Sequence, residues 1–219
     1  MDFDFIKEVI PLYVEATWLT LRIGFIGIIL SFITGIFCAV VRYWKIPVLN
    51  VIVRVYTEIS RNTPLLIQLF FLYYAFPVIG WRMSSITAGI IGLIFLGGGY
   101  MAEGFTGGFQ GVTDSQINSG EALGMNRFQL ARYVVFPQGF ALSMPALAAN
   151  VIFLIKETSI FTVIAIPELT NTALDLIGMY YRSNEYLLML VIGYAIIMIP
   201  VILLLNWLER KVRYGAFGD

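Results

Sequence analysis

The chain contains no histidine and a single cysteine among its 219 residues. Without histidine there is no Ser-His-Asp relay, no imidazole ligand for zinc and no ordinary general base near pH 7. The lone Cys38 cannot close an internal disulfide or build a thiolate metal cluster. It lies in an apolar run and reads as a small buried hydrophobe. Charge is scarce too. Charged residues are 13% of the chain, and 14 basic side chains are balanced by 14 acidic ones. That balance gives no electrostatic grip on nucleic acid. No Gly-x-x-x-x-Gly-Lys-Ser/Thr segment is present to cradle a nucleotide phosphate. What the chain does have is apolar surface: 59% of its residues are hydrophobic, against about 45–50% in a soluble domain. The composition therefore points to lipid. A membrane-embedded enzyme fits poorly, since there is no metal-ligand cluster and no carboxylate pair at helical spacing.

Stretches free of Asp, Glu, Lys and Arg run over 23–41, 62–81, 83–102, 133–155 and 186–208. A helix needs about 20 mostly apolar residues to cross the hydrocarbon. Because Pro137 and Pro145 interrupt the fourth stretch, the fourth helix is expected to begin near Pro145 and to run across Lys156 and Glu157. The chain thus reads as a single all-α polytopic membrane domain over 1–219. Its five transmembrane helices fall near 16–41, 59–79, 84–106, 145–166 and 186–208. Basic residues choose the orientation. With the N-terminus outside, Arg42, Lys45, Arg54, Arg61, Arg127, Arg132, Arg210, Lys211 and Arg213 lie on or near the cytoplasmic side. Only Lys7, Arg82 and Arg182 lie outside. N-out/C-in is the expectation. The segment before Ile23 does not read as a cleavable signal, because its start is acidic (Asp2, Asp4, Glu8) and no small-residue cleavage site follows. Phe5, Ile6, Val9, Ile10 and Tyr13 recur at helical spacing and predict a short amphipathic helix on the outer face.

The cytoplasmic stretch 112–144 carries its own folding signals. Thr113 followed by Gln116 is a capping box, so a helix is expected from Asp114 to about Leu123. Gly124 suits the left-handed residue that ends it. Asn126 with Gln129 is a second start signal, and the following helix is expected to stop at Pro137. Ile117, Leu123, Met125 and Phe128 form an apolar cluster that reads as a docking surface for another protein.

These residues resemble a known pattern. The EAA signature of ABC-importer permeases is Glu-Ala-Ala, three residues, Gly, nine residues, then Ile-x-Leu-Pro. Gly124 matches its glycine, and Val134, Phe136 and Pro137 match its end. Asn118, Ser119 and Gly120 stand in place of Glu-Ala-Ala. The segment 61–71, Arg-Asn-Thr-Pro-Leu-Leu-Ile-Gln-Leu-Phe-Phe, resembles the polar amino-acid branch of that family. So do Tyr100-Met101-Ala102-Glu103, Gly107 to Gln110, Phe136-Pro137-Gln138, Leu154 to Ser159 and Ile166-Pro167-Glu168-Leu169. Thr106 departs from it, standing where relatives often carry Arg.

The resemblance implies a MetI-like permease fold and a bacterial cytoplasmic-membrane subunit. Such a subunit moves a polar amino acid by alternating access, with no cofactor of its own. ATP and Mg would sit on two partner ATPase subunits. These would grip the coupling helix and its turn: Asn118, Ser119, Gly120, Glu121, Ala122, Leu123, Gly124, Met125 and Phe128. A second permease copy or homologue, an extracytoplasmic binding protein and membrane lipid complete the implied partners. Five spans are few to enclose a polar route, so the route is expected at a dimer interface. Charges inside spans mark pathways or pairs. Glu103, Glu157, Thr158, Ser159 and Tyr100, with Asn62, Thr63 and Gln68 around Pro64, are the candidate pathway residues. A stand-alone secondary carrier or channel is the competing reading. Against it stand the low span count, the absence of an inverted repeat and a structured loop left without a task.

Overall fold

The structure is a computed structural model that describes residues 3–218, apart from the side chains of 3–5 and 217. Asp2 and the side chains of Asp4 and Phe5 therefore lie outside the described residues. Every regular element described is helical. α1 spans Phe3–Tyr43 and α2 Leu49–Asn62. α3 spans Leu65–Phe70 and continues through a wide turn, Phe71–Ala75, and a tight one, Phe76–Ile79. α4 spans Ser85–Gln110, α5 Asp114–Ala122 and α6 Arg127–Leu130. α7 spans Phe136–Glu157, α8 Leu169–Tyr180 and α9 Ser183–Phe217. Four helical runs are long and apolar enough to cross a membrane, and the bent pair α2–α3 would make a fifth.

Three expectations are corrected. First, the N-terminal segment is not a separate surface helix. α1 continues unbroken through Pro11 to Tyr43, a length of about 60 Å, roughly twice the hydrocarbon thickness. Its first turns are held by tertiary packing. Val9, Tyr13 and Ala16 are buried against α8 and α9, and the Tyr13 hydroxyl donates to the Tyr186 carbonyl at 2.9 Å. Second, the expected straight span near 59–79 is broken. Pro64 cannot continue a helix from Thr63, whose backbone is extended, and the chain turns by 104° there. Third, the helix after Asn126 does not stop at Pro137. A widened turn, Ala131–Val135, directly precedes α7 and carries the helix past Pro137, which lies in the first turn of α7. The fourth span therefore starts well before Pro145, in a continuous helical run from Arg127 to Ile164.

α4 is the centre of the bundle. It packs on α1 through small residues that let the backbones close in. A Cβ on Gly35 would strike the Met101 backbone, and one on Gly27 would strike Leu93. Gly97, Gly98 and Gly99 each receive a different hydroxyl, those of Ser31, Tyr56 and Ser60. Two of these hydroxyls also bond across to α4: Ser31 donates to the Leu93 carbonyl at 3.1 Å and Tyr56 to the Phe95 carbonyl at 2.9 Å. The triple glycine is thus a packing seam within an unbroken helix. Cys38 is buried, as expected from its run.

Candidate functional site

The ends of α1, α4 and α7 meet at one end of the bundle, where Tyr43 packs edge-on against Phe109 and Phe136. α5 hangs from this end. The Thr113 N–H and hydroxyl each donate to Gln116 Oε1 at 3.2 Å, which fixes the first turn. Gly124, at φ 78°, ends the helix. Its N–H bonds the Glu121 carbonyl at 2.9 Å, and the next N–H, of Met125, bonds the Gly120 carbonyl at 3.1 Å. Asn126 and Gln129 then cap each other reciprocally, at 2.8 and 2.9 Å. Gly120 is buried, and a Cβ there would meet the tip of the Leu130 side chain, which would have to shift. Asn118, Ser119, Glu121, Ala122 and Gly124 face outward. Leu123 is 79% and Phe128 64% exposed. Met125 is half-buried, and Ile117 packs back on the bundle.

The candidate pathway residues fall into two groups. Around the break, Glu103 on α4 accepts from Arg42 of α1 and pairs with Arg61 of α2 at 3.4 Å. The Arg61 guanidinium lies 5.6 Å above the Tyr100 ring. The buried Gln68 amide donates to the Ser60 carbonyl at 3.0 Å and to the Thr63 carbonyl at 2.9 Å, tying the two sides of the bend together. Asn62 turns back onto Glu58. Glu103, Gln68 and Asn62 are therefore engaged within the chain. Beside Thr63 and Gln68 lies a groove of about 470 Å³, lined otherwise by apolar side chains such as Ile67, Phe71 and Phe95.

The second group sits at the end of α7. Asn150 donates to the Tyr100 carbonyl at 2.9 Å, and Phe153 meets the Tyr100 ring at 5.0 Å. Glu157 is one turn beyond Phe153 on the same face. Lys156 is exposed and Glu157 half-buried, and neither side chain has a hydrogen bond or ion pair among the described residues. Thr158 is buried and donates to the Ile155 carbonyl; Ser159 donates to the Lys156 carbonyl.

The family described as the binding-protein-dependent transport system inner membrane component matches residues 5–214. The chain belongs to this family. The glutamine transport system permease protein GlnP of Escherichia coli K12 is 30% identical over 217 residues, covering 97% of this chain and 99% of that protein. The probable glutamine ABC transporter permease of Bacillus subtilis is 33% identical over 175 residues, covering 79% of this chain and 80% of that one. A crystal structure of an amino acid ABC transporter with histidines superposes with TM-score 0.90 at 29% identity, covering 96% of this chain and 99% of that one. The MetNI methionine ABC transporter, at 19% identity and TM-score 0.79, shares the fold.

Two features of this inner-membrane component escape sequence reading. The partners of Glu103 lie about 40 and 60 positions upstream, with no local signal to join them. Glu168, quoted above only for its resemblance, is a fully buried carboxylate. It caps α8, accepting from the Asn171 and Thr170 N–H groups at 2.7 and 2.9 Å, with the Tyr194 hydroxyl at 3.4 Å. Burial pushes its pKa up to about 7, against the lowering effect of those bonds. The signal available in advance was the spacing Glu168-Leu-Thr-Asn, an acidic cap ahead of an apolar run.

Proposed function

We propose that the chain is the membrane-spanning subunit of an ATP-driven importer for a polar amino acid, seated N-out/C-in in a bacterial cytoplasmic membrane. The relatives named above support amino-acid import. The observation that carries the coupling half of the reading is the capped, outward-facing α5 between the ends of α4 and α7. Two ATPase subunits, each binding ATP and Mg, grip α5 and its turn at Asn118 to Met125 and Phe128. Their closure swings α4 and α7 together, because those helices are joined where α5 is held. A second permease copy or homologue completes the route, and an extracytoplasmic binding protein delivers the substrate.

Glu157 is the residue proposed to meet the ammonium group of the guest. Its carboxylate has no hydrogen bond or ion pair among the described residues, and Phe153, one turn back, meets the Tyr100 ring. Thr63 and Ser159 line the approach, with Thr158 buried behind them. Gln68, Glu103 and Asn62 position the wall of the route. The test is co-purification followed by reconstitution. An ATPase subunit should travel with the chain, and vesicles should take up amino acid only with ATP and the binding protein. Glu157→Gln should then weaken uptake of a cationic or zwitterionic substrate. Unchanged uptake and unchanged substrate-stimulated ATPase would remove Glu157 from the route. A chain that purifies alone and transports without ATP would be a secondary carrier.

A further inference from the structure

Among the described residues, one hydrogen bond joins α5 to a membrane helix: Gln116 Nε2 donates to Gln138 Oε1 at 2.6 Å. We infer that Gln116 and Gln138 form a positioning bracket through which motion of α5 reaches the membrane, an inference that rests on α5 being the element gripped by the ATPase. The Gln116 side chain is held at both ends. Its Oε1 receives the Thr113 N–H and hydroxyl, so its amide nitrogen is aimed and not free to swing. Gln138 sits in the first turn of α7, just beyond the widened turn Ala131–Val135.

The position matters mechanically. Along the backbone α5 joins α4 directly through 111–113, but towards α7 a displacement must pass the left-handed turn at Gly124, the short α6 and the widened turn. The bracket crosses that whole stretch in one hydrogen bond. It lands where α7 cannot move apart from α4, since a Cβ on Gly108 would meet Ser143 Oγ and the Gly139 carbonyl, and one on Gly139 would meet Phe109. From Gln138, α7 runs on to Glu157, about 28 Å along the helix axis.

The test uses the assembled permease–ATPase complex in proteoliposomes with its binding protein and amino acid. Assembly, basal ATPase, stimulated ATPase and amino acid moved per ATP are measured. In Gln138→Leu and Gln116→Leu, assembly and basal ATPase should stay within about twofold of wild type. Amino acid moved per ATP should fall about fivefold, the scale of one lost hydrogen bond. The double variant should lose no more than either single, because both remove the same link. Gln138→Glu keeps an acceptor for Gln116 and should restore coupling. Thr113→Ala removes one of the two bonds that aim Gln116 and should lower coupling less than either leucine variant. Should Gln138→Leu fail to assemble, the exposed Gln116→Leu carries the comparison. Unchanged coupling in the leucine variants, losses that multiply in the double variant, or no rescue by glutamate would overturn the bracket while leaving the transport reading in place. A wild-type complex without ATP-dependent uptake would overturn both.

Discussion

The two polar regions of this molecule are built on opposite plans. The α5 loop is folded by neighbours in sequence: Thr113 with Gln116, Asn126 with Gln129, and Gly124 at a positive φ. Of its outward side chains, Asn118 and Glu121 have no hydrogen bond or ion pair among the described residues. The cluster at the α2–α3 break is folded by residues far apart in sequence. Arg42, Arg61 and Glu103 come from three helices, and Gln68 closes on the carbonyls of Ser60 and Thr63. Its polar groups are largely consumed internally. A polar residue in this bundle is thus either committed to holding helices together or left open for another molecule, and the difference lies in its partners and not in its residue type.

The largest effect should come from the committed region. Glu103→Leu leaves two arginines without their acceptor and should cost about 2–3 kcal/mol, less than a fully buried pair because the three side chains stay partly exposed. Thermal unfolding in detergent checks this; an unchanged midpoint would mean the cluster holds nothing. Next is the α4–α7 seam. Gly108→Val should destabilise by about 2 kcal/mol, because the helices cannot separate without losing their packing. Gly107→Ala, one residue away with nothing within 4 Å of an added Cβ, should be neutral or slightly stabilising. Equal effects at the two glycines would contradict the seam.

A smaller, conditional effect belongs to Glu168. Burial raises its folded pKa from 4.5 to about 7, so the folded state holds a proton that the unfolded chain has already released. The stability this contributes is fully present below 4.5 and is lost as pH rises through 7. Glu168→Gln should flatten that part of the stability–pH curve; a curve of unchanged slope would show that another group sets it.

The same division explains what could be read in advance. Caps, the glycine turn and apolar span lengths are local, and each leaves a mark within a few residues. The relation of Arg42 to Glu103 leaves none, so the two arginines that hold Glu103 could not be read from its place in a span. The continuity of α1 was hidden because Val9 and Tyr13, at helical spacing, suit a surface helix as well as one buried against α8 and α9. Proline misled at 137 because its effect depends on whether it opens a helix or interrupts one.

The central claim is that α5 is open to a cytoplasmic motor. Because Cys38 is the only cysteine and is buried, a single reporter thiol can be placed cleanly at the exposed turn. Leu123→Cys, paired with cysteines introduced across the ATPase surface, should cross-link the two subunits, with a yield that changes when ATP binds. If Leu123→Cys in the active complex reacts freely with a water-soluble maleimide in every nucleotide state and never cross-links to the ATPase, α5 is not the handle.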